Sequence, residues 1–140
     1  MRVMVCAPGD KNTEAGQLPT EEGLTRMMKF NEELVKAGVL LDGAGLLPTS
    51  KAKRVRFSGT ERTVIDGPFA ESKELIAGYS IWQVKSMEEA VEWVKRAPLD
   101  DGVEVTIRPL FSPEDFGDAA TPELRARGEQ LRAESAQLKK

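Results

Sequence analysis

The chain has 140 residues, 40% hydrophobic and 31% charged, with a net charge of −3, which fits one soluble domain with a single core and leaves no room for a second full one. That balance gives no global attraction to nucleic acid or to an acidic membrane. With no histidine and one cysteine, Cys6, an intramolecular disulfide, a Cys–His nucleophile pair and a typical zinc site are excluded, and no cofactor is expected.

No apolar run reaches the roughly 18 residues of a membrane span, and the opening Met1 to Pro8 is too short and too strand-like for a signal peptide. A cytoplasmic protein is the expectation. Arg2 to Ala7, rich in valine and methionine, predicts a first strand ended by Pro8-Gly9-Asp10, with Cys6 buried in it as a small apolar side chain. Gly9 to Leu18 reads as a polar loop. Thr20 caps a helix whose first turn carries Glu21 and Glu22, whose Leu24, Met27, Met28, Leu34 and Val35 share one face, and which Gly38 stops.

Val39 to Leu47 is apolar but broken by Gly43 and Gly45, which predicts an irregular strand with a bulge or a close backbone approach. Val55 to Phe57 and Thr63 to Ile65 are short β-type runs flanking Ser58 to Arg62, a hairpin with glycine in its loop. Lys51, Lys53, Arg54, Arg56 and Arg62 make the hairpin basic. No aromatic platform beyond Phe57 is interleaved with them, so a solvated hairpin is expected and direct nucleic-acid binding is not.

Asp66-Gly67-Pro68 forces a corner, because a residue before proline avoids the α region and proline offers no backbone donor. Glu71, Lys73 and Glu74 follow, at the mouth of Leu75 to Val84, which is apolar at nearly every position, as a central strand covered on both faces would be. Ser86 and Glu89 match a capping box, and Met87, Ala90, Val91 and Val94 form the buried stripe of a second helix that Pro98 ends. From Val103 to Phe111 apolar and polar residues alternate, the mark of a strand with one buried face. Beyond the linker-like Ser112 to Asp118, Thr121-Pro122 opens a last helix, in which Leu124, Leu131 and Leu138 recur every seventh residue. Three leucines are too few for a coiled coil, so a helix folded on its own domain or a frayed tail is expected. The expected organisation is a domain over 1–116 and a helical tail over 117–140.

These elements make a β-α-β-β-α-β plan with an additional β segment, the α+β, ferredoxin-like arrangement in which both helices cover one face of an antiparallel sheet. The other face needs a cover, and two sheets packed face to face across a homodimer would supply it. The block from Asp66 to Glu74, with Ile76-Ala77-Gly78-Tyr79, Val84 to Ala90, Glu92-Trp93 and Ile107 to Leu110, resembles the YCII-related family in the subgroup named for its DGPF motif. The resemblance covers roughly the first 116 residues. It implies the dimeric α+β barrel fold. It also implies a sigma-factor partner, since members of the subgroup are often encoded near, or fused to, sigma factors of the extracytoplasmic-function type. Simpler relatives carry a histidine–aspartate pair proposed as catalytic. Without histidine only the carboxylate side carries over, to Asp66.

Each candidate has a structural and a chemical reading. Gly67 and Pro68 serve the turn, and Phe69 reads as an apolar plug. Asp66 caps the turn or acts as a base. Glu71, Lys73 and Glu74 form a surface ion-pair cluster or hold a polar ligand. Arg108 clamps an anion or pairs with Glu104 or Glu71, and Tyr79 is a candidate acid or a buried tyrosine with a satisfied hydroxyl. The expected function is a dimer-associated cleft for a small polar or anionic molecule, linked to transcription. The competing readings are a small-molecule enzyme using carboxylate chemistry and a purely structural dimer.

Overall fold

The computed structural model describes residues 1–69 and 75–139. The chain divides into two compact units, Met1–Pro109 and Leu110–Lys140. The division expected from the sequence falls after residue 116.

In the first unit the elements are β1 (Arg2–Pro8), α1 (Lys11–Glu14), α2 (Glu21–Lys36), β2 (Leu40–Gly45), a 3-10 turn (Thr49–Lys51), β3 (Lys53–Ser58), β4 (Glu61–Asp66), β5 (Ile76–Gln83), α3 (Met87–Lys95) and β6 (Thr106–Pro109). Four strands form one sheet in the order β2-β5-β1-β6, and β3 and β4 form a separate two-stranded sheet. All four-stranded pairings are antiparallel. With the hairpin set aside, this is the ferredoxin-like order expected from the sequence, within the α+β class.

Register decides which face is which. Val3 lies opposite Trp82 and Val5 opposite Ser80, while Val5 also lies opposite Ile107. These residues point one way, toward the helices, and Val3, Val5 and Trp82 join Phe30 and Leu34 of α2 and Ala90 of α3 in the core. Met4, Cys6, Tyr79, Ile81 and Arg108 alternate with them and point the other way. The expectation that β5 is covered on both faces is met on one: Trp82 is 2% exposed, whereas Tyr79 and Ile81 are half-buried.

The helix ends follow their caps. Thr20 accepts from Gly23 N–H at 3.0 Å, and Gly38, at φ +74°, takes the left-handed position after the last turn that glycine fills without a Cβ clash. Ser86 accepts from Glu89 N–H at 3.1 Å, as the capping box predicts. The buried faces differ from expectation. Phe30, absent from the expected stripe, is buried beside Leu34, while Leu24, Met28 and Val35 are exposed. On α3, Val91 is exposed and Trp93 packs edge-on against Phe30, ring centroids 6.5 Å apart.

Three other expectations are corrected. The loop from Gly9 to Leu18 contains α1, because Asp10 and Thr13 cap each other: Thr13 N–H donates to Asp10 Oδ1 at 2.9 Å and Asp10 N–H to Thr13 Oγ1 at 2.8 Å. The hairpin is longer than its β-type runs, since Lys53 pairs with Asp66 and Ser58 with Glu61 around a two-residue turn. The last strand of the sheet is shorter, Thr106–Pro109 rather than Val103 to Phe111, because it pairs only with Val3 to Cys6 and Pro109 has no N–H to extend the ladder. The irregularity expected in Val39 to Leu47 is present as a register shift between Leu40 and Asp42.

The second unit holds a 3-10 segment (Pro113–Ala119) and α4 (Pro122–Leu138). The cap and first-position proline of α4 are as expected, with Thr121 accepting from Leu124 N–H at 3.2 Å. Asp115 receives both the N–H and the hydroxyl of Ser112 at 2.8 Å, and these bonds hold its carboxyl below the ordinary value of 3.8. A folded-state pKa below the unfolded one means that this cap is fully present above the ordinary value and is lost as pH falls through the folded one. Carboxyl-carbon NMR titration of Asp115 is expected to give a midpoint below 3.8, and a midpoint at or above that value would refute the cap.

Candidate functional site

The Asp66-Gly67-Pro68-Phe69 corner is built on backbone proximity. Asp66 ends β4, and its carboxylate pairs with Lys53 Nζ at 2.5 Å across the hairpin, both side chains largely exposed. Such an exposed pair contributes about 1 kcal/mol at most. Gly67 N–H donates to the Ala52 carbonyl at 2.9 Å, and a Cβ on Gly67 would overlap the carbonyl oxygen of Thr49. Phe69 N–H meets Thr49 Oγ1 at 3.5 Å. The Phe69 ring, expected as an apolar plug, is a platform with the Arg54 guanidinium 3.8 Å from its centroid.

The acid that organises this corner was not among the expected residues. Glu14 of α1 accepts the Thr49 N–H at 3.2 Å and the Thr49 hydroxyl, tying α1 to the 3-10 turn against which Gly67 packs. Asp10 and Thr13, three residues apart before Glu14, are the sequence signal that could have found it. Glu71, Lys73 and Glu74 lie outside the described residues.

Tyr79 and Arg108 stand on the sheet face turned away from the helices, Tyr79 opposite Cys6 and Arg108 opposite Met4 on the two sides of β1. Strand spacing and rise put their Cα atoms about 12 Å apart. Asp66 belongs to the other sheet. The structure thus gathers two of the expected residues on one face and leaves the third on the hairpin. Among the described residues, Arg108 makes no ion pair, and no group of three Cys, Asp or Glu side chains is placed to hold a metal ion. No helix among them is long and apolar enough to cross a membrane.

A concavity lies on the helix side of the sheet. It has a volume of about 640 Å³ and is walled by Val5, Phe30, Val35, Trp82, Val94 and Val105, among others. Its floor is the end of the sheet where β2 and β5 carry Gly43, Gly45 and Gly78. Gly43 faces Ser80, and Gly45 faces Gly78, so this part of the sheet projects almost no side chain toward the helices. The backbone requires that at Gly43, where a Cβ would come within 3.1 Å of the Tyr79 carbonyl oxygen. At Gly45 nothing stands nearer than 4.0 Å.

Polar groups at the wall are few. Ser80 Oγ accepts from Trp82 Nε1 at 2.7 Å and donates to the Asp42 carbonyl at 3.3 Å, which fixes the indole and fills the hydroxyl's own needs. Asn31 of α2 also reaches the wall, while Tyr79 and Asp42, whose side chains turn to the other face of the sheet, border it along their strands. Neither Asp66 nor Arg108 does. A cavity of this size and composition suits a small, mostly apolar molecule oriented by one or two hydrogen bonds.

The YCII-related domain matches residues 1–111. An uncharacterised protein of Rhizobium meliloti (strain 1021) is 32% identical over 93 residues, 66% of this chain and 75% of that protein. The 5-chloro-2-hydroxyhydroquinone dehydrochlorinase from Burkholderia phenoliruptrix AC1100, solved in complex with 2,5-dihydroxybenzoquinone, superposes with a TM-score of 0.43 at 14% identity, over 81% of this chain and 98% of that one.

Proposed function

This chain belongs to the YCII-related family, and on that premise we propose that it is a small-molecule-binding protein whose ligand occupies the cavity between the sheet and helices α2 and α3. The observation that carries this reading is the cavity itself: about 640 Å³, within the range of about 300–1,000 Å³ that ligand pockets occupy, and enclosed mostly by aliphatic and aromatic side chains. A charged ligand would lose its hydration there without a facing counter-charge. The favoured ligand is therefore an uncharged molecule with an aromatic or aliphatic body, turned by Asn31 and by the polar groups around Ser80.

The opposite face of the sheet supports a second element of the reading. Met4, Tyr79 and Ile81 are half-buried there, and Arg108 stands beside them. A second copy packed sheet to sheet would cover these residues and bring two Arg108 side chains toward one space, where an anion would be the natural counter-charge.

The two places are separated by binding measurements. Calorimetry with naphthol as the first probe is expected to give one site per chain. Gly45→Leu should abolish that binding while the unfolding midpoint stays unchanged, because a side chain there grows into open space. Arg108→Ala should leave binding intact. Loss of binding in Arg108→Ala, with Gly45→Leu unaffected, would move the ligand to the open sheet face and end the cavity reading.

A further inference from the structure

A hairpin of two strands is marginal in water unless something covers one of its faces. Here all twelve residues of β3 and β4 are exposed except Ile65, which is half-buried. The register sets Lys53, Val55 and Phe57 of β3 against Asp66, Val64 and Arg62 of β4 on one face. Val55, Phe57 and Val64 form its apolar middle, with Phe57 73% exposed. The Arg62 guanidinium lies 4.2 Å from the centroid of the Phe57 ring. The two strands carry four cations against two carboxylates in a chain whose net charge is −3, so the rest of the molecule is the more acidic part.

Helix α2 presents a matching surface. Leu24, Met28 and Val35 are exposed, Met28 by 64%, and a turn of 100° per residue puts them within about 40° of one another on the outer side of the helix. Glu21 and Glu32 border this line, both exposed. At about 1.5 Å per residue, Glu21 to Glu32 spans about 16 Å. Lys53 to Phe57, the residue paired with Arg62, spans about 13 Å. An apolar strip that ends in Arg62 and in the Lys53–Asp66 pair and an apolar strip edged by carboxylates, of similar length, therefore stand on one chain.

We propose that the β3–β4 hairpin of one copy docks along the Leu24–Met28–Val35 line of α2 on a second copy. Repeated about a two-fold axis, the contact closes two chains, each giving its hairpin and receiving its partner's. Hairpin-to-hairpin pairing is disfavoured by the like charges it would bring together. The contact meets the rim of the ligand cavity at Val35, which also walls it, and it is distinct from pairing through the open sheet face.

Disulfide trapping between separately purified variants tests the contact in trans. A mixture of Val64→Cys and Met28→Cys chains is expected to give a cross-linked pair of the two, and the buried Cys6 provides the unmodified control. A Val64→Cys product with itself, or no product above that control, would overturn the proposal. Both positions are exposed, so folding is not at stake, and a charge exchange provides a second measurement by analytical ultracentrifugation. Arg62→Glu should weaken association of copies about tenfold, and combining it with Glu32→Arg should restore it to within about threefold of the original. Failure of the second change to restore association, or no effect of the first, would overturn the pairing.

Discussion

Trp82→Ala is expected to lower the free energy of unfolding by about 3–5 kcal/mol, the range for removing a large buried aromatic side chain. The indole is 2% exposed and meets Phe30 at a ring separation of 6.4 Å. It lies opposite both Val3 and Leu40, so it touches both neighbouring strands and the helix layer at once. Its loss would merge with the existing cavity instead of closing. The change also strands Ser80, whose hydroxyl accepts the indole N–H. Urea unfolding followed by circular dichroism checks the figure, and a loss under about 1 kcal/mol would mean that the helix layer collapses into the space, contrary to the packing described.

Gly67→Ala is the second large effect. Gly38 and Gly59 stand at positive φ, where their backbone angles require glycine, but Gly67 does not. It is kept for space. An added Cβ would overlap the Thr49 carbonyl oxygen and come within 2.8 Å of its carbon, and a backbone carbonyl cannot rotate away as a side chain would. The cost is expected to be about 3 kcal/mol or more, at or above the upper end for forced overpacking, accompanied by faster protease cleavage in the hairpin. Gly45→Ala is the matched control. With nothing nearer than 4.0 Å to the new Cβ, its effect should stay within about 0.5 kcal/mol. Equal costs at the two positions would show that the turn at Thr49 yields.

What the sequence made legible, and what it hid, follows from how far apart the determinants lie. The ends of α2 and α3 were readable because a cap is a local event: Thr20 with Gly23 and Ser86 with Glu89 are three residues apart. The buried face of α2 was misjudged because that helix carries two adjoining apolar lines. One runs through Phe30 and Leu34 to the core, and the other runs through Leu24, Met28 and Val35 to the outside. Hydropathy alone does not say which is covered. The strand β5 was recognisable as central from its apolar run, yet its second cover is not supplied by the described residues. The hairpin strands were underestimated because Lys53, Arg54, Glu61 and Arg62 carry no apolar alternation, and what extends the ladder is the register around Gly59-Thr60.

The candidate site was legible only in pieces. Tyr79 and Arg108 belong to one sheet face, a grouping that follows from strand parity. Asp66 was singled out for its motif and is found paired with Lys53. The cavity left only a partial linear trace: Gly43 and Gly45 marked a close backbone approach, but not that Gly78, much later in the sequence, would fall beside them at one end of the sheet beneath two helices.

The two tryptophans stand in unlike surroundings. Trp82 is enclosed at the cavity wall with its N–H tied to Ser80, while Trp93 is half-buried beneath the Arg96 guanidinium, 4.6 Å from its ring centroid. An indole in an apolar shell emits at shorter wavelength than one beside water and a cation. The protein's own light is thus divided into two channels, one sensing the interior space and one sensing the surface. A molecule entering between the helices and the sheet should alter the short-wavelength emission alone, so occupancy can be followed without attaching a dye.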